Sequence, residues 1–373
     1  MSIDDRSRAV PGDNRRLARL RERMDRYGLD AFIVSQPQNR RYLSGVTATE
    51  GSAMASAGWL VVLLDTAYFI TTFLYLEAAQ KECQGAGVVR AQVRIAETAV
   101  EVLSSSNARR VGIEASHLVF ASYDELARAM PAVELVPVDG IVEDLRAVKS
   151  DDEIELIRRS AALTDAAFDH FLRIGRPEMS EREAAWELER YMRENGAEGM
   201  AFSPAVATGP HAAVPHHHPT DLPLGTGQPI WMDLGAQLDG YCSDLTRSFC
   251  FGRSDEKYEN IWRLVLRAHD IAMAGLRPGV VGRDSDALAR EVISADGLGD
   301  AFGHGLGHGV GLAIHERPRL ARVSSDVLTP GMIVTVEPGI YLSGWGGVRI
   351  EDLVVVTEDG IEVLSRSEQR ILL

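Results

Sequence analysis

Ile230-Trp231-Met232-Asp233-Leu234 reads as a strand with a carboxylate in it. Branched and aromatic side chains favour pleated backbone, and Asp233 stands between Met232 and Leu234, in apolar surroundings. An isolated buried carboxylate is costly unless it is paired or bound to a cation. The turn-rich stretch Gly235 to Gly240 comes next, and Tyr241 to Phe251 reads as a second strand. The two are expected to pair as a hairpin in which Asp233 and Asp244 meet. Alternation puts Tyr241, Ser243 and Leu245 on one face of the second strand and Cys242, Asp244 and Thr246 on the other. A salt bridge to Arg247 or a turn cap is the alternative reading for either acid.

The same conflict recurs downstream. Glu337 ends the apolar run Ile333-Val334-Thr335-Val336, just before Pro338-Gly339, and Glu351 sits in Val348-Arg349-Ile350-Glu351-Asp352-Leu353-Val354. Glu is unusual in such strands, although Glu351 could pair with Arg349 on its own strand face. Upstream of both lies His304-Gly305-Leu306-Gly307-His308-Gly309-Val310-Gly311. Its two histidines are four apart, as in helical zinc motifs, but no Glu follows His304 and the glycines argue against a helix. Asp233, Asp244, His308, Glu337 and Glu351 together form a hard, oxygen-rich donor set suited to Mn, Co, Fe or Zn. Two such ions can make water a nucleophile at neutral pH. One metal site accounts for these strand-embedded acids more simply than separate structural explanations do.

The 373 residues allow two or three domains. A net charge of −15 disfavours nucleic acid as a partner. No apolar run reaches the roughly 18 residues of a membrane span, and Met1 to Arg6 is polar, so no membrane association and a cytoplasmic setting are expected. Cys83, Cys242 and Cys250 are too few and odd in number for a disulfide framework. Residues 1–13 are expected to form a flexible tail, with Asn14 capping a helix along Leu17, Leu20, Met24 and Tyr27 that stops at Gly28. Strands at Ala31–Val34, Trp59–Leu64, Tyr68–Thr72 and from Arg110 suggest a small α/β domain over 14–140. Beyond a composition shift near Gly140, capping boxes at Ser150/Glu153 and Ser180/Glu183 open two helices. The face of the first is read as Ile154, Ile157, Ala161 and Ala162. A third helix is expected over about Lys257–Leu276, within one α+β domain over 141–373.

The sequences Asp244-Leu245-Thr246-Arg247, Glu337-Pro338-Gly339 and Arg349-Ile350-Glu351-Asp352, around five acids and imidazoles in this order, resemble the pita-bread metallopeptidases. The likeness is to their Xaa-Pro peptidase branch, prolidase and aminopeptidase P, over about residues 15 to 373. It implies a C-terminal pita-bread domain behind a creatinase-like N-terminal domain. It also implies a homodimeric hydrolase acting on a small peptide or other small molecule. Asp244 and Glu351 would bridge two divalent ions, Mn first, with Co, Zn or Fe as alternatives. Asp233 would complete one shell, and His308 and Glu337 the other. A hydroxide bridging the ions would attack the scissile carbonyl, with Glu337 passing the proton to the leaving nitrogen. His216, after Pro215, would steady the transition state, with His217 and His218 exposed to solvent. His315, in Ile314-His315-Glu316-Arg317-Pro318, would bind the scissile carbonyl or the substrate carboxylate. Arg349 would orient a ligand carboxylate and Thr246 would support the metal shell. Other readings of the same scaffold are an ectoine-hydrolase-like amidase cutting a non-peptidic C–N bond, and a non-catalytic binding protein. The stretch Thr72-Phe73-Leu74-Tyr75, His211 where relatives often carry Asn, and the small residues of 46–57 depart from the family's pattern.

Overall fold

The computed structural model describes residues 15–48 and 56–373. The expected tail, the Asn14 cap and most of the small-residue stretch lie outside the described residues. The chain divides into two compact units between Arg146 and Ala147, a little beyond the composition shift at Gly140.

The first unit runs α1 (Arg15–Arg26), β1 (Ala31–Val34), α2 (Pro37–Ser44), β2 (Trp59–Leu63), β3 (Ala67–Thr71), α3 (Leu76–Glu82), β4 (Gly87–Arg90), α4 (Ile95–Ser105), β5 (Arg110–Glu114), α5 (Phe120–Ala129), β6 (Glu134–Val138) and α6 (Glu143–Ala147). Its strands form one sheet in the order β4-β3-β2-β1-β5-β6. The pairs β1–β2 and β2–β3 are antiparallel, while β1–β5, β3–β4 and β5–β6 are parallel. Leu17, Leu20 and Met24 bury one stripe of α1. Gly28 then takes a φ of 62°, which stops the helix; Tyr27 lies beyond the helix and is exposed.

The second unit opens with α7 (Asp151–Ile174) and α8 (Glu181–Glu194), both started by complete capping boxes at Ser150/Glu153 and Ser180/Glu183. Ile157 and Ala161 face the core from α7, but Ala162 is exposed; Ser160, Thr164 and Phe168 complete the buried stripe. The chain continues through β7 (Gly199–Met200), β8 (Ala205–Thr208), β9 (Ile230–Leu234), β10 (Ala236–Leu238), β11 (Tyr241–Cys242), β12 (Leu245–Phe249), α9 (Glu256–Gly275), α10 (Gly282–Ala295), β13 (Gly307–Gly309), β14 (Glu316–Leu320), β15 (Ile333–Val336), β16 (Gly339–Leu342), β17 (Gly346–Arg349), β18 (Asp352–Val356) and β19 (Ile361–Val363). α10 has no counterpart among the expected helices, and its N-cap, Val281, offers no capping side chain. Two sheets carry most of the acids and His308 or flank them: β8–β9–β12, and β14-β13-β15-β18-β19. One apolar core packs α7 and α8 against the first, through Phe168, Leu188, Met232 and Phe249. Another packs α9 and α10 against the second, through Val265, Ile293, Val334 and Val354. The C-terminal residues are fastened to the end of β12: Cys250 donates to the Ile371 carbonyl, and Leu373 donates to that of Cys250.

Candidate metal centre

The strand expected from Tyr241 to Phe251 is broken. β11 and β12 belong to different sheets, and Asp244 falls between them. At the break, the Ser243 hydroxyl turns to α7, 2.8 Å from Thr164 Oγ1 and 3.0 Å from Ser160 Oγ. β12 resumes antiparallel to β9, with Thr246, not Asp244, directly opposite Asp233. His308 sits at the centre of β13, squeezed between β14 and β15. A Cβ on Gly307 would lie 2.0 Å from the Thr335 carbonyl oxygen, and one on Gly309 would lie 2.1 Å from that of Arg317. Neither position can carry a side chain, so the glycines set how deeply His308 enters. Glu337 comes directly after β15, with its amide held by the Leu306 carbonyl at 2.8 Å, and Glu351 links β17 to β18.

These five side chains line one cavity of about 350 Å³, together with Phe202, His216, His304, His315 and Arg349. Donor atoms of Asp244, His308 and Glu351 all lie within 4.8 Å of one another. His308 Nε2 is 3.4 Å from Glu337 Oε1 and 3.6 Å from Asp244 Oδ2. His308 Nδ1 faces the Gly309 carbonyl at 3.1 Å, so Nδ1 carries the proton and the Nε2 lone pair points at the carboxylates. Burial holds the His308 imidazole below its usual pKa, in the neutral form a metal needs.

The acids show the complementary strain. Burial first, and repulsion from neighbouring carboxylates second, push Asp244 and Glu351 well above the usual carboxylate range. Burial also raises Glu337, against the pull of His304 and Arg349. Asp233 Oδ1 is buried with no hydrogen-bond partner among the described residues. Carboxylates crowded around a neutral imidazole, one of them with an unsatisfied buried oxygen, are what a pair of hard divalent cations would relieve. The residues present therefore fit that group.

A polar brace lies behind the acids. Thr246 Oγ1 donates to Glu351 Oε2 at 2.6 Å and accepts from Arg349 Nε at 2.9 Å. Arg349 Nη2 donates to Asp233 Oδ2 at 2.5 Å and Nη1 to the Tyr341 hydroxyl at 3.0 Å. Arg349 is buried over the Trp231 ring. Its guanidinium lines the cavity and also binds Thr246, Tyr341 and Asp233. Arg247 pairs with Asp352 at 2.6 Å rather than with Asp233, and Arg349 pairs with Asp233 rather than Glu351. His304 donates from Nδ1 to the Gly305 carbonyl and accepts at Nε2 from Tyr341. Sequence reasoning assigns His304 no role and misses Tyr341. The Gly-rich run around His304 is the only signal for the first, and a tyrosine in a strand offers none.

His216 and His315 are exposed residues on the cavity wall. The His315 ring meets His308 edge-on at 4.3 Å. Partial desolvation of its ring against the cavity wall, and then His308, lower the His315 pKa to about 4, leaving it neutral. His218 is exposed as expected, but His217 is not: its side chain is 11% accessible and its Nε2 lies 2.9 Å from Glu181 Oε2.

The chain is similar to known proteins over most of its length. Residues 155–358 match Metallopeptidase family M24, and residues 16–148 match the Creatinase/Prolidase N-terminal domain. The Xaa-Pro dipeptidase of Pyrococcus furiosus is 35% identical, over 96% of this chain and 99% of its own length. The solved Xaa-Pro dipeptidase from Bacillus anthracis superposes with a TM-score of 0.91 at 39% identity, covering 96% of this chain and 99% of that one. An X-Pro aminopeptidase from Thermotoga maritima MSB8 gives 0.84 at 31% identity, covering 94% and 100%. No helix among the described residues is long and apolar enough to cross a membrane. The chain therefore belongs to metallopeptidase family M24, a pita-bread domain preceded by a creatinase/prolidase N-terminal domain.

Proposed function

We propose that the chain is a binuclear Xaa-Pro peptidase that acts first on dipeptides, with Asp233, Asp244, His308, Glu337 and Glu351 holding two divalent ions, Mn by preference. The observation that carries this reading is the gathering of four carboxylates and a neutral His308 in one cavity, with one buried oxygen of Asp233 left without a hydrogen-bond partner among the described residues. The dipeptidase preference rests on the two relatives, similar over nearly their whole length, that are named Xaa-Pro dipeptidases.

Divalent ions bound there supply a nucleophilic water at neutral pH and polarise the scissile carbonyl. The protein's own groups do the rest. Asp244 and Glu351 would help to hold the ions, and Thr246 orients the Glu351 carboxylate by donating to its Oε2. His216 and the neutral His315, on the cavity wall, donate to the carbonyl oxygen as negative charge grows on it. Glu337, steadied by Thr335 Oγ1 at 3.1 Å, carries the proton to the leaving imide nitrogen. That nitrogen has no N–H in an Xaa-Pro bond, so recognition depends on the ring and the carboxylate.

A substrate-length series from Xaa-Pro to Xaa-Pro-Xaa-Xaa, on chelator-stripped protein given Mn, Co or Zn, tests the reading. Turnover should require added metal and be fastest on the dipeptide. Faster cleavage of the longer peptides would make it an aminopeptidase. Turnover of cyclic amidines or N-acyl amino acids alone would make it an amidase.

A further inference from the structure

Outside the lining of the main cavity, Glu181, His211 and His217 converge. Glu181 opens α8 and its side chain is completely buried, while His211 lies in the short 3-10 turn Gly209–Ala213 and His217 in the loop beyond it. His211 Nδ1 is 3.0 Å from Glu181 Oε1, His217 Nε2 is 2.9 Å from Glu181 Oε2, and the two rings lie 4.5 Å apart. Thr208 N also donates to Oε1, and Thr220 donates to Oε2 through both its amide and its hydroxyl. With both imidazoles, five groups crowd a carboxylate that offers about four lone-pair sites.

We propose that Glu181, His211 and His217 form a second cation site, of the class that takes Zn²⁺ or a similar borderline divalent ion. A His-His-carboxylate set is a zinc-type donor set. Tetrahedral coordination at about 2.0–2.1 Å separates neighbouring ligand atoms by about 3.3 Å. The nitrogen–oxygen distances of 2.9 and 3.0 Å need to open by only a few tenths of an ångström to reach that spacing. The His211 side chain is 37% exposed, so water can reach a fourth position. Because Glu181 N and Arg182 N already donate to the Leu222 and Thr220 carbonyls, an ion here would fasten to α8 the loop that carries His216.

The test counts bound metal. Wild-type chain, H211N and H211N/H217N are stripped, equilibrated with Zn²⁺, gel-filtered and analysed for zinc per chain. The same three are prepared with D244N/E351Q, which disables the main centre. Wild type should hold one more zinc than either His variant, and this difference should persist in the D244N/E351Q background. A zinc lost only with D244N/E351Q bears on the main centre, and one lost with H211N bears on this site. Should the D244N/E351Q proteins not fold, wild type against H211N decides alone. Equal zinc in wild type and H211N would overturn the proposal and leave a hydrogen-bonded clasp only.

Discussion

Thr246 ties the acid cluster to the brace behind it, since one hydroxyl both orients Glu351 and receives Arg349. Replacing it with valine keeps the shape and removes both bonds. T246V should lower metal affinity about 10–100-fold, the usual cost of losing a group that orients a ligand. Competition against a chelator measures this, and unchanged affinity would show that Glu351 needs no such support. The five candidate ligands are legible at this scale because each violates its surroundings: an acid in an apolar strand, or a histidine among glycines. Tyr341 and His304 are not, because tyrosine is at home in a strand and a histidine in a loop has many ordinary reasons to be there.

Among the elements, β14 begins with a buried ion pair. Glu316 meets Lys149 Nζ at 2.7 Å, and both side chains are nearly inaccessible. The pair fixes the residue next to His315 and, with it, the way β14 meets β13. K149M leaves a buried carboxylate without its counter-charge and should destabilise the chain by about 3–5 kcal/mol. Denaturant unfolding reads this, and K149M combined with E316L should recover much of the loss; equal instability of both variants would sink the account. The helices with capping boxes, α7 and α8, are readable from sequence because the start signal is local. The break between β11 and β12 is not: Ser243 there bonds to α7, roughly eighty residues earlier in the chain.

For the whole molecule, the charge of −15 and the acid cluster act together on pH dependence. Asp244, Glu337 and Glu351 have folded-state pKa values raised by burial and, for Asp244 and Glu351 most strongly, by neighbouring carboxylates. Without metal, the folded chain therefore binds protons that the unfolded chain has released. That contribution to stability is complete below the unfolded values and is lost as pH rises through the folded ones. Adding Mn should expel those protons and raise Tm more at neutral than at mildly acidic pH. Calorimetric titrations in two buffers of different ionisation heat would detect the release, and heats that do not depend on buffer would contradict it. The domain plan is visible as alternating strand and helix patterns succeeded by Gly-rich strands. The sheet pairings are not, because β13 and β18 meet through β15 from distant parts of the chain.

The fastening of the C-terminal residues to β12 has a consequence for biosynthesis. Arg247, next to Thr246, donates to the Ser367 carbonyl 120 positions later, and Cys250 is paired with residues 371 and 373. A ribosome that has just released β12 has supplied Asp233 and Asp244 but neither the later acids nor the segment that locks their strand. With the proposed ligand set, metal insertion would wait for translation of nearly everything downstream, and a nascent chain stalled before β13 would carry two aspartates without the other three ligands.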